Sequence, residues 1–208
     1  MSHIYAFTDH ENEVQYRVLG SKFYGIIFPS ENQEVFEERL NACKKKYPDA
    51  SHHCYAWRLD PFNLNEFSQD DGEPSGTAGL PILNVLRSFN CCNTGIIVVR
   101  YFGGTKLGKA GLIDAYGHTA RLATESISLY NVTIGKRFTL IFDYEQKSHA
   151  DQLLRKMQIE PHEATYLEKI TYIVQIPEES AELFADEAAK LVYLGIQCSD
   201  GEPVMVKI

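Results

Sequence analysis

The sequence lacks the cysteine pattern of a disulfide-bonded or thiolate-zinc protein. Its 208 residues contain five cysteines, an odd number, and no two of them form a C-x-x-C pair. A disulfide framework needs an even set, and a four-thiolate zinc site needs closely spaced pairs. We therefore predict no metal site and no cofactor. The cysteines are predicted to be reduced and mostly buried; they are Cys43, Cys54, Cys91, Cys92 and Cys198.

Long apolar runs are also missing. The longest segment without Asp, Glu, Lys or Arg covers residues 74–86, which is 13 residues interrupted by two prolines and two glycines. A membrane-spanning helix needs about 20 apolar residues, so we expect no contact with membranes. The N-terminus, from Met1 to Tyr5, has neither the positive start nor the apolar core of a secretory signal. We expect a cytoplasmic protein.

Positive charge is scarce. The chain has 20 Lys and Arg against 28 Asp and Glu, so its net charge is −8. Residues 1–134 hold 12 basic and 15 acidic residues, a net charge of −3, and residues 135–208 hold 8 and 13, a net charge of −5. The molecule as a whole therefore does not attract polyanions, and contact with nucleic acid would need a local basic patch.

Apolar residues are plentiful, at 44%, and their pattern in the first half predicts an α+β domain. Residues 14–19 and 22–28 are predicted to form a hairpin. A helix follows, with Ser30 and Gln33 as its expected cap and with Phe36, Leu40 and Cys43 on one face. Residues 95–102 are predicted to form a central strand, apolar on both faces, and a long helix after it is predicted to end near Tyr130.

The second half predicts a ferredoxin-like domain. A strand at residues 137–143, a helix, two strands at residues 159–166 and 169–176, and a second helix follow one another. Either residues 196–198 or residues 204–208 supply the last strand. The order βαββαβ is that of the ferredoxin-like fold. We predict two domains, residues 1–134 and 135–208, with the boundary near residues 131–136.

A glycine-rich basic segment follows the central strand. Residues 103–111 contain four glycines and two lysines close after Arg100, and a helix is predicted to begin among them. Free N–H groups and the positive end of the helix dipole would then lie beside three cations, an arrangement that favours phosphate. The alternative is that the glycines only permit close packing. The candidate binding residues are Arg100, Gly103, Gly104, Lys106, Gly108 and Lys109.

The same segment is not a nucleotide-binding P-loop. Its spacing from Gly103 is G-x-x-x-x-G-K, but Ala110 stands where a P-loop has the Ser or Thr that holds magnesium. We therefore exclude an NTPase.

An acidic loop at residues 70–79 supplies further candidates. Asp71 and Glu73 are suited to bind a divalent cation or to act as general acid and base, and Ser75 and Thr77 add hydroxyl groups before the next helix. Alternatively, Asp71 and Glu73 form ion pairs with the basic group of Arg100, Lys106 and Lys109, or cap that helix. If the two loops touch, their charges largely cancel.

A histidine and a cysteine on one strand are weaker candidates. Alternate strand residues share a face, so His52 and Cys54 are placed together, whereas His53 points away. This pair is suited to catalysis, but a strand cysteine is more often a small core residue. Four aromatic residues nearby are suited either to stack on bases or to pack in the core. They are Tyr55, Trp57, Tyr101 and Phe102.

Three strings together resemble the IMPACT/YigZ family. They are residues 52–58 (HHCYAWR), residues 70–79 (DDGEPSGTAG) and residues 98–104 (VVRYFGG), in the order that the family has. The resemblance implies a fold like domain two of ribosomal protein S5 for residues 1–134. For the bacterial type it implies a C-terminal domain similar to the last domain of elongation factor G. Ala110 departs from the family, which usually has glycine there.

The resemblance also bears on function. Eukaryotic relatives act in translational control by competing for an activator of a starvation-responsive kinase. The leading hypothesis is a non-catalytic protein that binds RNA, the ribosome or a translation factor between the acidic and glycine-rich loops. One alternative is an enzyme acting on a small phosphorylated or nucleotide-like substrate, with Asp71, Glu73 and His52 as catalytic candidates. The other is a protein-interaction module with an exposed apolar patch.

Overall fold

The structure, a computed structural model, describes residues 4–208. It has the predicted α+β fold, with two sheets and five α-helices in this range. Contacts divide it into two compact units, Tyr5–Asn131 and Val132–Ile208, the latter joined by Ile4. Residues 1–3 of the domain predicted over residues 1–134 lie outside the described residues.

The N-terminal unit is built on a five-stranded antiparallel sheet in the order β2-β3-β6-β4-β5. The predicted hairpin is confirmed, since Val18 pairs with Ser21 across the turn. β6 is the central strand and is buried on both faces, as its apolar run predicted. The strands are β2 (Asn12–Val18), β3 (Ser21–Pro29), β4 (His52–Leu59), β5 (Asn65–Gln69) and β6 (Thr94–Tyr101).

Helices cover both faces of this sheet. On one face, α1 (Gln33–Lys46) buries Phe36, Leu40 and Cys43 against the side chains of Ile97 and Val99. On the other, α2 (Gly79–Ser88) and α3 (Gly108–Glu125) pack on Ile96 and Val98. The apolar period of α1 was therefore predicted correctly. Its cap was not, because the side chain of Asn32 accepts the N–H of Val35 at 3.0 Å.

The C-terminal unit has the predicted ferredoxin-like order. Its sheet runs β10-β7-β9-β8 with antiparallel pairs. A further short strand, β1 (Ile4–Phe7), lies at the start of the described residues. Phe138, Leu140 and Phe142 alternate along β7 and form a core with both helices. The elements are β7 (Tyr130–Phe142), α4 (Lys147–Met157), β8 (Glu163–Tyr166), β9 (Ile170–Pro177), α5 (Glu178–Ala189) and β10 (Gln197–Lys207).

Several boundaries differ from the prediction. α3 ends at Glu125, and Tyr130 begins β7, which was expected to start at Arg137. The last strand, expected in one of two short runs, is the single strand β10, with an irregularity between Asp200 and Pro203. β1 and β5 were not predicted. No helix in residues 4–208 is long and apolar enough to cross a membrane.

Candidate functional site

The sheet register brings the predicted site residues to one end of the N-terminal unit. His52 on β4 lies opposite Arg100 on β6, and both belong to the sheet face that α2 and α3 cover. Cys54 lies on the same face, two residues along β4, where it is fully buried. His53 points to the other layer, where its Nε2 lies 3.1 Å from the carbonyl of Tyr47. The alternation predicted for this strand is confirmed.

Glu73 and Arg100 form a buried ion pair. A carboxylate oxygen of Glu73 accepts hydrogen bonds from Arg100 at 2.5 Å and from the Tyr116 hydroxyl at 2.8 Å. The two charged side chains are only 4% and 5% exposed. The acidic loop therefore pairs with Arg100 at the end of β6, as one alternative predicted, and the charges of Glu73 and Arg100 cancel. Arg100 does not belong to the exposed basic group in which the sequence placed it.

Aromatic rings enclose the Arg100 guanidinium. It lies 5.5 Å from the centroids of both Phe23 and Phe102. Its Nη2 donates to the Ser21 hydroxyl at 3.4 Å, and its Nε is buried without a partner among the described residues. Ion pairing and ring contacts thus fix Arg100 beneath Phe102, whose side chain is 50% exposed.

Cys54 is a poor nucleophile in this setting. Burial raises the pKa of its thiol well above the ordinary range, and Sγ donates to the carbonyl of Asp70 at 3.0 Å. Burial likewise raises the pKa of the Tyr116 phenol. Both groups therefore stay protonated and serve as hydrogen-bond donors. The structure gives no support to a reactive Cys54.

His52 lies at the rim of this cluster. Its Nδ1 is 2.7 Å from the carbonyl oxygen of Asp71, so Nδ1 carries a proton, and its Nε2 is 3.7 Å from Glu73. Gly72, in the left-handed region at φ +87°, packs against the same ring. The backbone of the acidic loop thus orients this imidazole.

The aspartates of the acidic loop accept hydrogen bonds from backbone N–H groups in and around the loop. The Asp70 carboxylate accepts the N–H groups of Gly76, Ala78 and Gly79 at 2.8–2.9 Å, which caps the start of α2. Burial raises the pKa of Asp70, but these three hydrogen bonds outweigh it and the net shift is downward. The carboxylate of Asp71 accepts the His53 N–H at 2.6 Å. The cap of α2 is therefore Asp70, for which the sequence predicted no role, and not Asp71 or Glu73 as one alternative had it.

The hydroxyl groups of the acidic loop differ in exposure. Thr77 is buried and donates to the carbonyl of Pro74 at 2.6 Å, whereas Ser75 is exposed. No three His, Cys, Asp or Glu side chains within residues 4–208 are grouped to hold a metal ion.

The glycine-rich segment packs against the β2–β3 hairpin. A Cβ on Gly103 would lie 1.9 Å from the carbonyl carbon of Gly20, so only glycine fits there. The N–H of Gly103 donates to the Ser21 hydroxyl at 3.2 Å. By contrast, Gly104 and Gly108 face open space with φ of +87° and +69°. Close packing therefore requires a glycine at Gly103, and the left-handed backbone favours glycine at Gly104 and Gly108.

Four exposed cations lie at this end of the N-terminal unit. Lys106 and Lys109 lie on the glycine-rich segment, where α3 begins without a side-chain cap. Lys22 pairs in register with Tyr101, just before that segment, and Arg17 pairs with Lys22. Within residues 4–208 none of the four has a carboxylate within ion-pair distance. We call Arg17, Lys22, Lys106 and Lys109 the basic patch.

Two members of the basic patch were missed from the sequence. Arg17 and Lys22 are far from Lys106 along the chain, and the contact between Gly20 and Gly103 places their hairpin turn beside the glycine-rich segment. The available signal was the short hairpin turn at Gly20, which places two exposed basic residues at the same end of the sheet as the end of β6.

Fold and site together define a two-domain α+β protein with a buried ion pair beneath a glycine-rich basic segment. The Impact N-terminal domain family matches residues 19–124. An IMPACT family member of Haemophilus influenzae is 37% identical over 80% of this chain and 82% of its own length. The chain belongs to the IMPACT family, which confirms the resemblance of its three motifs.

Two further comparisons agree. IMPACT family member YigZ of Escherichia coli is 34% identical over 64% of this chain and 67% of its own length. A crystal structure described as that of a hypothetical protein aligns with a TM-score of 0.62 at 26% identity. The alignment covers 97% of this chain and 99% of that one, so the likeness extends over both units.

Proposed function

We propose that this protein is a regulator associated with translation and that it binds RNA, free or in the ribosome, through the basic patch. Membership of the IMPACT family supports the translational part. The observation that carries the RNA-binding part is the basic patch itself: four exposed cations without ion pairs on a unit whose other charges are mainly acidic. Phosphate contacts of this kind supply most of the nonspecific affinity for nucleic acid.

The proposed site differs from the one suggested by sequence in its charged groups. Arg100 pairs with Glu73, and Asp71 and His52 each contact a neighbouring backbone group, so we assign these four residues a structural role. Lys106 and Lys109, together with the free N–H groups at the start of α3, face solvent. An anion is thus expected at the glycine-rich segment, with Gly104 and Gly108 allowing its backbone to curve around the ligand.

The test is the salt dependence of binding to a single-stranded oligonucleotide. In K106Q/K109Q two phosphate contacts are lost, so the slope of log K against log salt should flatten by about 1.4. The matched control is K44Q/K45Q, which removes two exposed lysines from α1. The proposal fails if wild-type protein does not bind, or if both double variants change the slope equally.

A translation factor as the partner is the second candidate, and one observation favours it. Phe62, Leu64 and Phe67, around the start of β5, are apolar and 39–44% exposed. A protein partner docked there would lose affinity in F62S/F67S and keep it in K106Q/K109Q. The opposite result assigns binding to the basic patch.

A further inference from the structure

Phe102 is an exposed aromatic residue in an unusual position. It directly follows β6 and precedes Gly103, and its side chain is 50% exposed. Its N–H donates to the Ser51 hydroxyl at 3.1 Å, which fixes the backbone at this point. Single exposed apolar residues are common on protein surfaces, so the informative feature of Phe102 is its position at the start of the glycine-rich segment.

The three other aromatic candidates do not share this exposure. Trp57 is 6% exposed and stacks on Phe67. Tyr55 packs against Phe36, and Tyr101 packs edge-on against Tyr24 in the layer beneath α1. Phe102 alone among the four is exposed and belongs to the segment that carries the basic patch.

The contacts of Phe102 leave one side of its ring exposed to a planar ligand. The Arg100 guanidinium lies 5.5 Å from the ring centroid and is itself held by Glu73 and Ser21. A ring contacted from within by a fixed cation and exposed on its outer side has one face free to stack. Such a face accepts any nucleobase, because every base has a π-face.

We infer that Phe102 stacks on an unpaired base of single-stranded RNA while neighbouring phosphates contact the basic patch. The inference rests on the proposed function and deepens it, since it selects unpaired over duplex RNA. Base pairing would bury the base faces within the helix, whereas an unpaired strand presents them to the ring. Lys106 and Lys109 are exposed on the same segment as Phe102 and carry the positive charge that phosphates would contact.

The experiment measures anisotropy of a labelled oligouridylate and of an RNA duplex of equal length. Phe102→Leu should bind the single strand about tenfold more weakly, the loss expected from removing one stack. Its affinity for duplex and its salt slope should match wild type, because no charge has changed. Phe102→Trp should bind at least as tightly as wild type, and its indole fluorescence should be quenched by the strand.

The control is Tyr193→Leu, which removes an aromatic ring that is 84% exposed in the C-terminal unit. It should leave both affinities unchanged. If Phe102→Leu binds the single strand as wild type does while K106Q/K109Q is weakened, the stacking inference is wrong and the proposed function stands. If wild-type protein binds neither RNA, both are wrong.

Discussion

At the scale of single residues, Arg100 and Glu73 show how a charged pair is kept inside a small domain. Transferring two charges out of water costs several kcal/mol per ion, so their mutual attraction alone gives little net stability. Here Tyr116 and Ser21 add hydrogen bonds, and Phe23 and Phe102 add ring contacts. The intact pair therefore adds little net stability, whereas removing one partner destabilises the fold strongly.

Removing one partner should therefore destabilise the fold strongly. We expect Glu73→Ala to lower the free energy of unfolding by about 3–5 kcal/mol, because Arg100 is left buried and unpaired. E73A/R100M should lose much less than the two single changes added together. Urea denaturation monitored by circular dichroism measures each value.

A surface pair provides the control. Arg121 and Glu125 lie 3.9 Å apart and are each about half exposed. Arg121→Ala should cost about 0–1 kcal/mol, since solvent screens the pair. A similar loss for Arg121→Ala and Glu73→Ala would contradict the role assigned to burial.

Residue identities predicted part of this site. The alternation of side chains along a strand correctly predicted that His52 and Cys54 share a face. The charge pattern offered, as one alternative, an ion pair between the acidic loop and the basic group that includes Arg100. The burial of Arg100 was not predictable, because it depends on Glu73 and Tyr116, which are distant in sequence. An Arg at the end of a strand before glycines looks the same whether it faces water or a carboxylate.

At the scale of elements, apolar periodicity predicted the strands and helices that are buried but not the strands that are mostly exposed. β6 and α1 have unambiguous patterns, and both were found. β5 (NEFSQ) is a short edge strand whose one large apolar residue, Phe67, is exposed, so it has no apolar signal. In β10, Asp200 and Pro203 resemble a turn, although they mark an irregularity within one strand.

The glycine-rich segment offers a test at this scale. Gly103→Ala would push a methyl group into the backbone of Gly20, and we expect a loss of about 3 kcal/mol. Gly104→Ala meets open space and only the strain of a positive φ, so about 1 kcal/mol is expected. Thermal unfolding of the two variants compares them directly. Equal losses would show that the hairpin and the segment do not pack as described.

At the scale of the whole molecule, the acidic composition governs stability in acid. Hydrogen bonds from Arg87 and Arg58 outweigh burial and lower the pKa of Glu66, as the three backbone donors do for Asp70. Lysines on either side lower the pKa of Glu187 to about 2. These shifts are spread over both units, so acid should weaken the cores of both.

The sign of the pH dependence follows from these shifts. A carboxyl whose folded pKa is depressed stabilises the fold fully above its unfolded pKa, about 4, and loses that contribution as the pH falls through the folded value. The urea midpoint should thus decline slightly between about pH 7 and 5, because burial lowers the pKa of His53 and the unfolded chain binds a proton there first, and should fall further from there to about pH 2 as the carboxylates are protonated. Asp70→Ala should lower the free energy of unfolding at neutral pH by about 1 kcal/mol and make its decrease in acid shallower.

The control is Asp49→Ala, which removes an exposed carboxylate on the turn after α1. It should leave the neutral midpoint and its acid fall unchanged. A midpoint that rises toward pH 3 would contradict the assignment of these carboxylates as stabilising.

The opposite orientation of His52 and His53 has a practical consequence for spectroscopy. Two adjacent imidazoles report on two separate layers, one beside the Glu73 carboxylate and the other against the carbonyl of Tyr47. The ring proton resonances of His52 would therefore shift when an oligonucleotide binds on its side of the sheet. Those of His53, on the opposite side, would serve as an internal reference.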